Sequence, residues 1–173
     1  MDFDLTEEQR LLKESVDGLL ADSYDFESRK KYAKEKGGWS KAVWSKLAEQ
    51  GLLGLPFSEE DGGFGGGAVE TMIVMEALGR ALVLEPYLAT VVIGGGFLRH
   101  GGSAAQKAAH VPGIVDGSKT LAFAQLEKNS RYDLADVATT AKKKGDGWII
   151  DGEKFVVLNG ETADTFIVTA RTK

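Results

Sequence analysis

A chain of 173 residues with 43% hydrophobic side chains can bury a core in one domain or one and a half, and is too apolar for a disordered segment. Its net charge of -5 leaves no basic stripe for nucleic acid, and the absence of cysteine excludes both a disulfide framework and a zinc-thiolate site. No apolar run reaches the roughly 18 residues of a membrane span and no basic stretch precedes an apolar leader, so a soluble, cytoplasmic protein is the expectation.

The first two thirds read as helical. Thr6-Glu7-Glu8-Gln9 has the form of a capping box, and Leu5, Leu12, Val16, Leu19 and Leu20 follow at helical spacing. Ser40 is placed to cap a second helix whose apolar stripe is Val43, Trp44, Leu47 and Ala48. A third covers Ala68 to Leu78, with Met72, Ile73, Met75 and Leu78 expected inward. Pro86 sits where helices start and opens a mostly apolar fourth from Tyr87 to His100. Ser103 to Val115 holds one or two short helices around Pro112.

Between the second and third helices lies "SEEDGGFGGGA", in which Gly63 to Ala68 fits the loose dinucleotide fingerprint G-x-G-x-x-G/A. That fingerprint needs a preceding strand and room for a diphosphate. Here a helix precedes, and Glu59, Glu60 and Asp61 would repel phosphate, so the loop reads as a connector whose glycines supply tight reversals.

The texture changes near Asp116-Gly117. Leu121–Leu126, Asp136–Lys142, Trp148–Asp151, Phe155–Leu158 and Thr165–Arg171 read as strands, with turn signals at Gly145-Asp146-Gly147 and Asp151-Gly152. Residues 1–115 therefore form a helical domain and 116–173 a partial β domain, an α+β plan with antiparallel strands. The chain stops directly after a strand with nothing to cover the sheet, which suggests a piece of a longer protein.

Three stretches carry a family resemblance: "DFDLTEEQRLLKESV" (Asp2–Val16), "WSKLAEQGLLGLPFSEEDGGFGGGAVETMIVMEALGRA" (Trp44–Ala81) and "GGSAAQKAAHVPGIVDGSKTLAFA" (Gly101–Ala124). They resemble the N-terminal part of the acyl-CoA dehydrogenases, and "GDGWIIDGEKFVVLNGETADTFIVTAR" (Gly145–Arg171) resembles the start of that family's middle domain. The resemblance implies an all-α N-terminal domain, the first half of an antiparallel, barrel-like middle domain, and no C-terminal helical bundle in this chain. It implies FAD as cofactor and an acyl-CoA substrate, oxidised between Cα and Cβ as a glutamate takes the α-proton and flavin the β-hydride. That glutamate lies in the family's C-terminal bundle, so no catalytic residue carries over. Partners implied are a homo- or hetero-oligomer with a related dehydrogenase subunit, and an electron-transfer flavoprotein as acceptor.

The resemblance sets the flavin against Phe123, Gln125 and Leu126 and against Val156, Val157 and Leu158. Both places depart from the family. Its T-E-P-G-A-G-S-D loop reads Leu126-Glu127-Lys128-Asn129-Ser130-Arg131-Tyr132-Asp133 here, and its W-I-T reads Val156-Val157-Leu158, followed by Asn159-Gly160. Backbone amides at both places remain available to a flavin edge. The departures resemble the small-subunit branch known from pimeloyl-CoA dehydrogenase, and they keep a second reading open: a non-catalytic subunit that supports an active partner. Arg131 and Tyr132 read either as contacts to CoA phosphate or flavin, or as a structural pair replacing the lost glycines. Glu127 is a relic of the flavin loop or a solvated carboxylate. Lys142-Lys143-Lys144 reads as a solvated hairpin tip, and His100 and His110 as helix-end residues. Thr90, Val91, Gly94, Gly95 and Leu98 share one helix face that would line the acyl pocket, with the glycines either widening it or serving close packing. No G-x-S-x-G elbow suggests a serine hydrolase.

Overall fold

The computed structural model describes residues 4–172, so Asp2 and Phe3 of the first matching stretch lie outside the described residues. Helix α1 spans Glu7–Ser23 behind the expected capping box: Gln9 N donates to Thr6 Oγ1 at 3.2 Å and Thr6 N to Gln9 Oε1 at 3.0 Å. A helix not foreseen, α2 at Phe26–Tyr32, follows an Asp25 cap that accepts from Ser28 N, and no residue of it is buried. Its lack of an apolar stripe explains why periodicity missed it. Helix α3, Lys41–Glu49, starts at Ser40, whose hydroxyl makes no capping bond; the Ser40 amide is held instead by Glu85 Oε1 at 3.1 Å.

Helix α4, Ala68–Arg80, packs on α1. It buries Ile73, Val74, Ala77 and Leu78, whereas Met72 is 53% exposed, so the inward assignment of Met72 is corrected: the buried face runs through Ile73, Val74, Ala77 and Leu78. The segment expected as one helix after Pro86 is a π-helical stretch, Leu88–Gly94, running into α5, Gly95–Gly101. Helix α6, Ala104–Val115, is continuous through Pro112.

Two small sheets follow. β1 (Leu121–Ala124) pairs parallel with β4 (Thr165–Val168), and β2 (Thr140–Lys144) pairs antiparallel with β3 (Gly147–Asp151). The antiparallel expectation thus describes the β2–β3 hairpin, while β1 and β4, far apart in sequence, run side by side. Lys142, Lys143 and Lys144 belong to β2 and are exposed there; the tip is Gly145-Asp146. Phe155–Leu158 is not a strand, because Val156 adopts φ 52° and bends the chain.

The glycine connector encloses no phosphate site. Its amides are spent on the chain itself: Gly63 N to Ser58 O, Gly65 N to Phe57 O at 2.7 Å, Gly66 N to Leu55 O at 2.8 Å and Gly67 N to Glu70 Oε2 at 2.7 Å. A Cβ on Gly63 would lie 2.4 Å from the Phe57 carbonyl oxygen, so glycine there lets two backbones touch.

The core runs from Val16 and Leu20 of α1 through Trp44 and Leu47 of α3 and Ile73 and Val74 of α4 to Tyr87, Val91 and Leu121. The β part is anchored to the helices by Trp44 Nε1, which donates to Gly117 O at 2.9 Å, and by Trp39 Nε1, which donates to Thr162 Oγ1 at 3.1 Å.

Candidate functional site

Strand β1 packs against the π-helical segment. The fit is close because Gly94 and Gly95 carry no side chains: a Cβ on Gly94 would lie 2.7 Å from Leu121 Cβ, and one on Gly95 would lie 2.7 Å from Phe57 Cζ. Thr90 locks the junction, accepting from Leu121 N at 3.1 Å and donating to Leu121 O. Thr90, Val91, Gly94, Gly95 and Leu98 are all buried, Thr90 and Gly94 against Leu121 and Gly95 against Phe57. The expectation that their face opens an acyl channel is corrected; that face belongs to the core, and the glycines serve packing.

The outward face of the same segment does front a cavity. Ala89 and Ile93 line a space of about 300 Å³ together with Phe123, Gln125, Leu126, Val156 and Leu158. Five of the six residues assigned to the cofactor therefore meet in one pocket. Val157, the sixth, borders the adjoining cleft of about 540 Å³ that runs past Trp39 and Leu84 to Asn159. From Ile93 an apolar surface continues over Gly96, Phe97 and His100. The Phe97 ring rests on Phe123 with centroids 4.5 Å apart. Ala89, Ile93 and Phe97 are the site residues that sequence reasoning missed; their four-residue spacing was visible, but the seam that chose the inward face was not.

The second wall of the pocket is a bent loop pinned at both ends. At its start Phe155 N donates to Leu126 O at 3.0 Å, and Lys154 Nζ donates to Gln125 O at 3.1 Å, Thr169 Oγ1 at 2.9 Å and Glu127 Oε1 at 2.6 Å. At its end Asn159 Nδ2 donates to Leu121 O at 3.2 Å and Gly160 N to Val157 O. Between them Val156 sits at φ 52°, an arrangement that costs a β-branched residue about 1–3 kcal/mol and persists only where its surroundings over-determine it.

Glu127 is not a solvated carboxylate. Its side chain and that of Lys154 are 9% and 8% exposed, and it also accepts from the amides of Ala138 at 2.7 Å and Thr139 at 3.0 Å. The Lys154 ammonium first, then the Thr139 and Ala138 bonds, hold its carboxyl down to about 2. Arg131 takes φ 46° in an exposed turn and Tyr132 is 97% exposed, so neither meets the pocket. His100 ends α5 as expected, whereas His110 lies inside α6 with Nδ1 3.4 Å from Lys119 Nζ. Among the described residues no cluster of three His, Cys, Asp or Glu could hold a metal, and no helix is long and apolar enough to cross a membrane.

The pocket suits a flat, mostly apolar ring with polar edges. Its walls are aliphatic and aromatic, and among the described residues the amides of Gln125, Leu126, Val156, Val157 and Leu158 donate to no protein acceptor. Four of these amides belong to residues that line the cavity and Val157 borders the adjoining cleft, so the free donors lie where an acceptor-edged ligand would be satisfied.

The chain matches the family models "Acyl-CoA dehydrogenase, N-terminal domain" over residues 6–118 and "Acyl-CoA dehydrogenase, middle domain" over residues 122–173. The probable acyl-CoA dehydrogenase YngJ of Bacillus subtilis is 32% identical over 174 residues, covering 99% of this chain and 45% of the relative. Among solved structures, the ChsE4–ChsE5 complex of Mycobacterium tuberculosis superposes with a TM-score of 0.88 at 29% identity, over 100% of this chain and 46% of that one. An acyl-CoA dehydrogenase of Bacillus anthracis complexed with FAD gives 0.87 at 26% identity, over 98% and 30%. The chain thus spans less than half the length of these proteins.

Proposed function

Because the chain belongs to the acyl-CoA dehydrogenase family, we propose that it forms the cofactor-facing wall of an FAD-dependent enzyme that converts an acyl-CoA thioester to the 2-enoyl-CoA. The carrying observation is the apolar pocket edged by the unspent amides of Gln125, Leu126, Val156 and Leu158. FAD, when bound, supplies the acceptor for the hydride leaving the β-carbon. The chain's own residues position and dry the site. Phe123, Val156 and Leu158 exclude water, and fixed amides in such surroundings stabilise charge on a ring edge more strongly than water would.

The acyl chain runs over Ala89, Ile93 and Phe97 in this reading, because these residues face the pocket and Gly94 and Gly95 do not. No carboxylate lines the pocket. Glu127, the acid nearest in sequence, is ion-paired and held at about 2, which makes it a poor base. Proton abstraction is assigned to a carboxylate outside these residues. Arg131, exposed on its turn, is kept as the group for a CoA phosphate. The assembly proposed is a homo- or hetero-oligomer with a related dehydrogenase subunit, with an electron-transfer flavoprotein as acceptor; the likeness to the ChsE4–ChsE5 complex supports the paired form.

The test is purification of the native oligomer with FAD and measurement of its visible flavin band before and after acyl-CoA. Retained flavin that bleaches on acyl-CoA supports the proposal; an oligomer that retains none refutes it. The replacement of W-I-T by Val156-Val157-Leu158, which removes every side-chain donor from that wall, favours the second reading of a supporting subunit. An oligomer whose partner holds all the flavin establishes that reading.

A further inference from the structure

The chain from Lys154 to Asn159 has to hold a conformation its residues resist. Val156 at φ 52° has no glycine to excuse it, and the loop forms no strand that would fix it by ladder bonds. What precedes it is a convergence of three segments on one ammonium. Gln125 continues β1 and lines the pocket, Glu127 follows in the next turn, and Thr169 follows β4. Lys154 Nζ reaches all three within 2.6–3.1 Å. An ammonium has three donors and no acceptor, so three protein acceptors saturate it. The adjacent Phe155 amide adds a fourth tie, to Leu126 O. The two pocket walls, Gln125–Leu126 and Val156–Leu158, are therefore joined at this point, and the amides of both walls are the ones left unspent.

We propose that Lys154 is a positioning residue for the flavin: by binding the Gln125 carbonyl, the Glu127 carboxylate and the Thr169 hydroxyl at once, it sets the spacing of the two pocket walls and the aim of their free amides. The inference rests on the FAD reading of the pocket. It assigns a role in cofactor placement to a lysine that touches no pocket surface, and it explains why a buried ion pair is kept where an apolar pair would fill the space. A buried ion pair is weak evidence for stability, since its desolvation offsets most of its attraction.

The experiment separates placement from stability. Lys154→Met alone strands the Glu127 carboxylate and is expected to unfold the β part, so the informative variant is Lys154→Met/Glu127→Gln. The two amides bond to different carboxylate oxygens, so the glutamine keeps an acceptor for only one of Ala138 N and Thr139 N, but no charge is left buried. In the full chain, in its native oligomer, this double variant is expected to stay folded at the assay temperature, with a midpoint lowered only by the one backbone bond the glutamine cannot keep, while binding FAD about tenfold or more weakly, the scale seen when partners that orient a ligand group are removed. Bound flavin fluorescence should also be less quenched. Thr169→Val removes one tie and no charge, and should weaken FAD binding to a smaller extent at unchanged midpoint; Lys142→Met, on the exposed hairpin, should change neither. Wild-type affinity and quenching in the double variant overturn the proposal. So does an affinity loss that only follows a fall in midpoint, since that is a structural role. A wild-type oligomer that binds no FAD at all is a different result: it overturns the functional reading, and the proposal with it.

Discussion

Gly94→Ala should destabilise this protein although it replaces a glycine inside a helical segment. On helix propensity alone the change gains about 1 kcal/mol. The new Cβ, however, would lie 2.7 Å from Leu121 Cβ, 2.8 Å from Leu121 Cδ1 and 3.1 Å from Ala89 O. Carbon atoms pack best at about 3.5–4.0 Å, so the overlap approaches 1 Å. Leu121 Cδ1 can rotate away but Leu121 Cβ cannot, because the amide and carbonyl of Leu121 are both bonded to Thr90 Oγ1. Relief requires β1 to move, and overpacking of this kind costs about 1–3 kcal/mol. The net effect should be a loss of up to about 2 kcal/mol. Gly18→Ala is the matched control: it sits exposed within α1 and a Cβ there would meet nothing within 4 Å. It should gain about 1 kcal/mol. Both variants change the unfolded chain alike, so the difference in sign reports the folded state. Urea denaturation followed through the buried tryptophans Trp39 and Trp44 measures both. Equal gains in the two variants would refute the tight seam between the π-helical segment and β1, and with it the assignment of Gly94 to the core.

Three further outcomes follow from the same structure. Gly65 takes φ 68° with open space around it, so Gly65→Ala should cost about 1 kcal/mol by urea midpoint and leave FAD affinity unchanged; a large loss of binding at unchanged stability would make the connector a ligand site. Because Glu127 is held at about 2, below the roughly 4.3 of an unfolded glutamate, its contribution is full above the unfolded value and is lost as pH falls toward the folded one; Glu127→Gln should flatten the pH dependence of the urea midpoint in that interval, whatever its effect on stability at neutral pH. Glu85 runs the opposite way: burial raises its pKa despite its bonds to Tyr24 and Ser40, so its contribution is full below about 4.3 and declines as pH rises through the raised value, and Glu85→Gln should lose least relative to wild type at alkaline pH.

Local chemistry was legible in the chain. The Thr6–Gln9 capping box, the turn at Gly145-Asp146 and the acidic approach to the glycine connector are short-range features, settled by residues a few positions apart. The family motifs were legible too, since they are strings of residues, and they named Phe123, Gln125, Leu126, Val156 and Leu158, which the fold brings to one cavity. What the sequence left open were questions of facing and pairing. An apolar helix from Leu88 to Gly101 offers two plausible faces, and only the approach of β1 to Gly94 decides that Thr90, Gly94 and Leu98 turn inward while Ala89, Ile93 and Phe97 turn to the pocket. Val156 could not be read as a bend, because a β-branched residue in an apolar run signals a strand, and its positive φ is imposed by ties at Lys154 and Asn159. Glu127 and Lys154 lie 27 residues apart, and no spacing rule pairs them. The burial that turns a loop carboxylate into a fixed anchor exists only once β1, β4 and the chain near Thr139 close around it, since the strength of a charge pair is set by what excludes water from it and not by either residue alone.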